Sequence, residues 1–155
     1  MSKRPFEPGP LGRHKTTSRL AYHLAREEAR AARASEALLV SAAGTVLEGA
    51  GSNVFVVRRS SVVTPPLGLG ILPGVVRRWV LETGAKLGID AREQNLRAAD
   101  LTAADEVFLS SSVQTIVPLA ALDGRALPAR DLGARLREHY AAEFLQPAAV
   151  RTARG

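Results

Sequence analysis

The segment that decides the fold of this chain is Glu36-Ala-Leu-Leu-Val-Ser-Ala-Ala-Gly-Thr-Val-Leu-Glu-Gly-Ala-Gly-Ser-Asn-Val-Phe-Val-Val57. Its apolar runs lie at Ala37–Val40, Thr45–Leu47 and Val54–Val57, and Gly44 stands in the first gap. Short apolar runs separated by glycine-containing gaps are typical of neighbouring β-strands. The segment therefore predicts a β-hairpin followed by a third strand.

Glu48 is the unusual residue of this segment. Because side chains alternate along a strand, Glu48 shares a face with Val46. If that face is the core, the carboxylate needs a cationic or proton-donating partner, since an unpaired buried charge is costly. The residues that follow, Gly49–Asn53, have little bulk and expose backbone N–H groups, as a loop lying against a ligand does. The alternative is that Glu48 faces water and the glycines only make a turn.

The length and composition are those of a single folded domain. The 155 residues are 46% hydrophobic and include no cysteine, which excludes disulfides and thiolate metal sites. No apolar run approaches the roughly 20 residues of a membrane-spanning helix. Residues 1–10 contain charges and prolines where a signal peptide needs an apolar stretch. We therefore expect a cytoplasmic protein without a membrane partner.

The charge of the chain does not indicate a nucleic-acid partner. It has 21 basic and 15 acidic residues, a net charge of +6. The basic residues are spread along the chain, with tight groups only at Arg13–Lys15 and Arg58-Arg59, and few aromatic residues stand beside them to stack on bases. We expect no nucleic acid.

The chain begins with a lead, residues 1–13, whose prolines and glycines predict a linker-like stretch without regular structure. From Thr17 to Ala34 the apolar residues recur at helical spacing, with Thr17 or Ser18 as the expected N-cap. Lys15 lies just before the first turn of this helix. The apolar positions are Leu20, Ala21, Leu24, Ala25, Ala29 and Ala32.

The rest of the chain predicts short strands and helices, with a turn at Asp123-Gly124. The expected strands are Ser61–Thr64, Ile89–Asn95, Glu106–Leu109 and Thr115–Leu119. The expected helices are Val75–Leu87 and Ala129–Leu145, and Ala98–Ala104 is expected to be a short helical or turn segment. The expected buried faces are Val75, Val76, Trp79, Val80, Thr83 and Leu87 in the first long helix, and Leu132, Leu136, Tyr140 and Phe144 in the second. Residues 14–146 then form the domain, and residues 147–155 a frayed tail.

The start of the helix after Pro73 is a candidate anion site. The free N–H groups of Gly74, Val75 and Val76 point out of a helix N-terminus behind a glycine-rich approach, and this geometry favours phosphate. No Gly-Lys-Ser/Thr follows, so a nucleotide-triphosphate loop is excluded. The alternative is an ordinary helix start, because most Pro-Gly starts bind nothing.

A hydroxyl cluster and one lysine complete the candidate site. Ser110–Ser112 follow a predicted strand and are good donors to phosphate or carboxylate, although each could simply belong to a polar turn. The chain has three lysines, and Lys15 is the one that the predicted elements hold in place. A phosphate site, a lysine for a Schiff base and a carboxylate for a ring nitrogen are what pyridoxal 5'-phosphate (PLP) requires.

The sequence resembles the class IV aminotransferases, the PLP-dependent enzymes of the branched-chain and D-amino-acid type, which include aminodeoxychorismate lyase. The resemblance runs in the family's order from about residue 11 to residue 128. Its motifs are His14-Lys15 with Arg19-Leu20, Ala29 with Glu36-Ala-Leu-Leu, Gly44-Thr-Val-Leu-Glu-Gly, Ser52-Asn-Val-Phe, Thr64-Pro-Pro-Leu, Leu72-Pro-Gly-Val-Val-Arg77, Ala104-Asp-Glu-Val-Phe and Val117-Pro118.

The resemblance implies a role for each candidate residue. Lys15 forms the Schiff base with the cofactor, and Glu48 pairs with its pyridinium nitrogen. Ser52 and Asn53 lie in the loop on the cofactor side, and Leu72 packs on the ring. The phosphate is bound at the helix start Gly74–Val76, with hydroxyls from Ser111 and Ser112.

Within the family the pattern favours the lyase branch. The run Lys15-Thr-Thr-Ser-Arg-Leu20 places leucine where branched-chain aminotransferases usually have a tyrosine, and Val76 stands where a threonine is common. The first expectation is therefore conversion of 4-amino-4-deoxychorismate to 4-aminobenzoate and pyruvate, in folate biosynthesis. The alternatives are an aminotransferase acting on branched-chain or D-amino acids, and a truncated domain without activity.

The resemblance also implies an architecture and a partner. The expected fold is the family's large domain, an α/β domain with a mixed, barrel-like sheet flanked by helices. Family members carry a smaller domain ahead of the lysine, so this chain is expected to be the large domain alone. A homodimer that acts on a small amine or amino acid is expected.

Overall fold

The computed structural model describes residues 1–128 and 131–145. Its helices are α1 (Leu20–Ala31), α2 (Val75–Lys86), α3 (Ala98–Thr102) and α4 (Leu132–Phe144), with a 3-10 turn at Leu67–Leu69. Its strands are β1 (Leu38–Val40), β2 (Thr45–Gly49), β3 (Asn53–Arg58), β4 (Ser61–Thr64), β5 (Asp90–Glu93), β6 (Leu96–Arg97), β7 (Glu106–Ser111), β8 (Thr115–Pro118), β9 (Ala121–Leu122) and β10 (Arg125–Ala126).

The strands form two main sheets. The five-stranded sheet has the order β5-β4-β3-β7-β8, in which β4 and β5 are parallel and the other neighbours antiparallel. The smaller sheet has the order β1-β2-β6, and β9 and β10 form a separate hairpin. The expected α/β fold with a mixed sheet and flanking helices is confirmed. The hairpin of the deciding segment is also confirmed, and its third strand, β3, lies in the larger sheet.

The core lies in three hydrophobic layers. The first contains Val46, Val54 and Val56 and is shared by the two sheets. In the second, α1 packs on the smaller sheet through Tyr22, Ala25 and Ala29, and in the third, α2 and α4 pack on the larger sheet. Both faces of β2 and β3 are therefore covered, which is why these strands are almost continuously buried.

The buried face of α1 agrees only in part with the expected one: Ala25 and Ala29 are buried as predicted, but the leucines are not. Leu20 and Leu24 are 69% and 40% exposed, whereas Tyr22 is buried with its ring 4.7 Å from that of Phe6. The helix begins at Leu20 behind an Arg19 N-cap, so neither Thr17 nor Ser18 caps it. Leu20 and Leu24 lie on one face of the helix and Tyr22 on the opposite one, and packing against the Phe6 ring selects the Tyr22 face.

The other long helices need smaller corrections. Val75 and Leu87, expected inside, are 59% and 40% exposed, and Arg77 of α2 is buried. In α4, Leu136 is buried while Phe144 is 53% exposed. An exposed Val75 has a simple cause, because it is the first residue of a helix whose end faces a cavity.

The lead, residues 1–13, contains no helix or strand but is attached to the domain rather than free. The N–H groups of Ser2 and Phe6 donate to the carbonyls of Leu38 and Val40, at 2.8 and 2.9 Å, and Phe6 is buried. Its linker-like character is therefore limited to its lack of regular structure. The tail predicted for residues 147–155 lies outside the described residues.

Candidate active site

One cavity of about 260 Å³ brings together every site residue that the sequence predicts. It lies where the ends of β2, β3 and β7 meet the start of α2 and the segment ahead of α1. The predicted residues that line it are Lys15, Glu48, Ser52, Asn53, Leu72, Gly74, Val75, Val76, Ser111 and Ser112. Residues from four separate stretches of the chain converge here, as the grouping of short motifs predicted.

Glu48 forms the buried end of the cavity. Its side chain is 2% exposed, so it faces inward. Its carboxylate accepts hydrogen bonds from the Tyr22 hydroxyl at 3.2 Å, the Leu72 N–H at 3.1 Å and the Asn53 side-chain amide at 3.5 Å. Burial raises the pKa of Glu48 to about 7, although the bonds from Leu72 and Tyr22 favour the ionised form. The carboxyl group is thus poised to gain or lose a proton near neutral pH.

Asn53 connects Glu48 to the start of α2. Besides its contact with Glu48, the Asn53 amide donates to the Leu72 carbonyl at 3.0 Å. Its side-chain oxygen lies so close to Gly74 that a Cβ at that position would overlap it. Gly74 is therefore required by this close approach, and Asn53 fixes the Leu72–Gly74 approach to the helix.

Ser52 is oriented by a second carboxylate. Glu36, which precedes β1, accepts a hydrogen bond from the Ser52 hydroxyl at 2.9 Å and another from the Gly51 N–H at 3.2 Å. These bonds hold the loop between β2 and β3 in place along the cavity wall. The expected role of Ser52 beside a cofactor stays a prediction.

The start of α2 provides donors for an anion. Gly74 is the N-cap, and no side-chain cap hydrogen bond is formed at this end among the described residues. The N–H of Gly74, expected to be free, donates instead to the Leu72 carbonyl at 2.9 Å. The first N–H groups of a helix lack partners within the helix and carry its positive dipole end. Both features make the N-terminal end of α2, at the cavity, favourable for binding an anionic ligand.

Ser110 adds an unpartnered hydroxyl to the same cavity. It is 2% exposed, and its Oγ lacks a hydrogen-bond partner among the described residues. Because Ser110 pairs with Asn53 in the β3–β7 register, the two side chains stand on one face beside the helix start. The Ser111 hydroxyl, by contrast, accepts the Gln114 N–H at 3.1 Å within the turn. A buried, unpaired hydroxyl is costly unless a ligand or water completes it.

Lys15 is exposed and lies at the rim, in an irregular segment ahead of α1. The segment is held by the neighbouring Arg13, whose guanidinium donates two bonds to the Leu67 carbonyl at 2.8 and 3.1 Å. A lysine at the rim can reach a ligand inside, because its four-carbon stem is long and flexible.

Three arginines that the sequence analysis did not select as site residues also line the cavity: Arg19, Arg26 and Arg77. Arg19 has its guanidinium carbon 3.6 Å from the centre of the Tyr22 ring. Arg77 is 3% exposed and donates to the Pro65 carbonyl at 2.8 Å and to Glu93. Tyr22 and Arg77 were missed because both lie on helix positions whose burial depends on tertiary packing. Arg77 stands in the motif Leu72-Pro-Gly-Val-Val-Arg77, so the sequence did contain a signal for this residue.

Fold and cavity together give a domain in which a buried carboxylate, an exposed lysine and a helix start line one cavity. A family model for amino-transferase class IV matches residues 2–122. The chain belongs to this family.

Relatives and solved structures agree with this assignment. A putative branched-chain-amino-acid aminotransferase of Methanocaldococcus jannaschii is 36% identical over 110 residues, which are 71% of this chain and 38% of the relative. The branched-chain aminotransferase of Thermoproteus uzoniensis with norvaline superposes with a TM-score of 0.84 at 36% identity, covering 90% of this chain and 48% of that one. A hypothetical aminotransferase from Mycobacterium tuberculosis, in its PLP-bound form, gives a TM-score of 0.82 at 28% identity, covering 89% and 51%. The chain thus spans about two fifths to half the length of these proteins.

The cavity fits the family's cofactor. Class IV aminotransferases are PLP-dependent. PLP carries an anionic phosphate, a basic ring nitrogen and an aldehyde, and the cavity offers an uncapped helix start with the unpartnered Ser110, the carboxyl group of Glu48, and the amine of Lys15. The described residues contain no group of side chains that could hold a metal ion and no helix able to cross a membrane.

Proposed function

We propose that this chain is the cofactor-binding part of a PLP-dependent aminotransferase that acts on amino acids. The observation that supports this proposal most strongly is the meeting of Lys15, Glu48 and the start of α2 in one cavity. Each of the three would meet a different group of the cofactor, and together they would fix its orientation.

Lys15 is the residue that would carry the cofactor and move the substrate proton. Its amine would bind the cofactor covalently through the cofactor's aldehyde, and it would also be the base that moves the proton away from the substrate carbon. PLP supplies an electron sink that stabilises the carbanion formed at that carbon. The rim position of Lys15 suits these tasks, since the amine must leave one partner and reach another.

Glu48 would keep the ring nitrogen of the cofactor protonated. An anionic carboxylate next to that nitrogen raises the nitrogen's pKa, so the ring withdraws electrons more strongly. At the opposite end, the amides of Val75 and Val76 with the hydroxyls of Ser110 and Ser112 would hold the phosphate.

The choice between transamination and the lyase reaction rests on the relatives and on two positions, Leu20 and Val76. The first two proteins named above are branched-chain aminotransferases by description, which favours transamination. Leu20 and Val76 favour the lyase, because by the resemblance they replace the tyrosine and the threonine usual in branched-chain aminotransferases. Leu20 is 69% exposed and is not among the described residues that line the cavity. We therefore place transamination first and keep aminodeoxychorismate lyase as the second candidate.

Borohydride trapping tests the attachment site. The chain is mixed with PLP and reduced, and its peptides are mapped by mass spectrometry; we expect the modified residue to be Lys15. Lys15→Ala should lose the modification, and Lys86→Ala, at the far end of α2, should keep it. Modification spread equally over all three lysines would contradict the proposal.

Product assays separate the two reactions. Transamination predicts a keto acid from an amino-acid donor together with amino transfer to an acceptor, whereas the lyase predicts pyruvate release from 4-amino-4-deoxychorismate without an acceptor. The homodimer and the cytoplasmic location also stay predictions, and light scattering of the chain with and without PLP checks the first. A chain that traps PLP on Lys15 but forms neither product would support the third alternative, a domain inactive without further sequence.

A further inference from the structure

We infer that Tyr22 is a positioning residue for Glu48, whose phenol holds the carboxylate ionised and turned towards the ring nitrogen of the cofactor. The inference rests on the proposed function, because it takes the ring nitrogen as the group that Glu48 meets. It adds a residue on α1 that the family motifs in this sequence do not include.

Contacts on three sides fix the position of the Tyr22 hydroxyl. The ring packs edge-on against Phe6 with centroids 4.7 Å apart, the Arg19 guanidinium covers its face at 3.6 Å, and the hydroxyl donates to Glu48 Oε1 at 3.2 Å. Arg19 in turn donates to the Ala50 carbonyl at 3.5 Å. A ring held in this way presents its hydroxyl to one carboxylate oxygen with little freedom to move.

The donors to Glu48 are neutral. Oε1 receives the phenol, and Oε2 receives the Leu72 N–H and the Asn53 amide. A carboxylate offers about four lone-pair positions, so these bonds leave room for one more donor. No ion pair to Glu48 is formed among the described residues. The negative charge therefore stays available for a protonated ring nitrogen.

The described cations near Glu48 act on its carboxylate electrostatically, without forming an ion pair with it. Arg19 from the α1 side and Arg77 from α2 both favour its ionised form, and Lys15 lies on the same cavity. Burial works against them and raises the pKa of Glu48 to about 7. Removal of the phenol would raise this pKa further, since a hydrogen bond to the charged form is lost. At neutral pH more of Glu48 would then be protonated and unable to hold a proton on the ring nitrogen.

A carboxyl titration of the unliganded full chain tests the link directly. Tyr22→Phe keeps the ring and its packing and removes one oxygen. In a chain with 13C-labelled glutamate carboxyls, Glu48→Gln assigns the Glu48 signal, and its midpoint is followed from pH 5 to 9. We expect Tyr22→Phe to raise the midpoint by about one pH unit. Tyr140→Phe, on α4 against Trp79, is the matched control and should not move it. An unchanged midpoint in Tyr22→Phe would overturn the inference.

Measurement of PLP affinity is the second test of the inference. We expect Tyr22→Phe to weaken PLP binding about three- to tenfold in the wild-type background, and to have no effect when Glu48 is already Gln. Equal losses in both backgrounds would show that Tyr22 only supports the fold, and would overturn the inference. A wild-type chain that does not retain PLP would refute the proposed function, and the carboxyl titration would still decide whether Tyr22 controls Glu48.

Discussion

Two glutamates of this domain are almost completely buried, yet their surroundings differ. Glu48 on β2 is 2% exposed, and Glu106 on β7 is 1% exposed. Burial raises the pKa of both carboxyl groups. Glu106 accepts the N–H groups of Leu132 and Gly133, at 3.1 and 2.9 Å, and so caps the start of α4. Glu48 faces a cavity and has a position free for another donor.

A buried carboxylate with a raised pKa is therefore not by itself a sign of function. Glu106 satisfies a helix end inside the protein, where backbone amides would otherwise lack partners. Glu48 lies beside an uncapped helix start and an unpartnered Ser110 hydroxyl. The candidate site at Glu48 differs from the structural carboxylate Glu106 in its neighbours, which include polar groups without hydrogen-bond partners among the described residues; burial alone does not separate the two.

The largest expected effect separates the two carboxylates by PLP binding. Glu48→Gln should weaken PLP affinity about 100-fold, because it removes the charge paired with the ring nitrogen. Glu106→Gln should leave the affinity of the folded protein unchanged. Fluorescence titration with PLP measures both, at a temperature where both variants are folded. Equal losses would contradict the distinction between the two glutamates.

A smaller effect is expected in the pH dependence of the free energy of unfolding. The pKa of Glu48 is raised in the folded chain from 4.5 to about 7, so the folded state binds the proton more tightly than the unfolded state. Its contribution to stability is complete below about pH 4.5 and is lost as the pH rises through 7. Relative to Glu48→Gln, the unliganded wild type should lose about 2 kcal/mol of unfolding free energy between pH 5 and 8. Urea unfolding at both pH values checks this, and Glu106 cancels because both proteins contain it. A difference independent of pH would show that Glu48 does not titrate in this range.

The smallest effect concerns stability and tests the role of Glu106 as the cap of α4. A Cβ added at Gly133 would lie 2.5 Å from Glu106 Oε1 and 3.3 Å from Phe108. Gly133→Ala should therefore push α4 away from its cap and cost about 1–2 kcal/mol of stability, with PLP affinity unchanged. The control is Gly68→Ala, where nothing lies within 4 Å of the added carbon, and it should change stability by less than about 0.5 kcal/mol. Thermal unfolding measures both. A Gly133→Ala variant as stable as the wild type would show that α4 adjusts without cost.

Local patterns were enough to predict β1 to β5, β7, β8 and the candidate residues on the cavity, but not the short strands β6, β9 and β10 or the arginines that line the cavity. The deciding segment predicted β1, β2 and β3 because apolar alternation and glycine gaps act within a few residues. The candidate residues on the cavity were predicted because each stood in a short motif with its own chemical reason, such as a helix start after Pro73.

What the sequence could not predict depends on contacts between distant segments. Tyr22 meets Glu48 across 26 positions, and the choice of the Tyr22 face of α1 over Leu20 and Leu24 follows from Phe6 in the lead. The burial of Glu106 likewise depends on α4, which begins 26 residues later. Helical spacing alone allows several faces, and only packing selects one of them.

The most direct test of the central claim is the absorption spectrum of the full chain after addition of PLP and dialysis, for the wild type and for Lys15→Ala. The account predicts a Schiff-base band that the wild type retains and the variant loses. A band that is retained equally by both, or by neither, would contradict the claim that Lys15 holds the cofactor in this cavity.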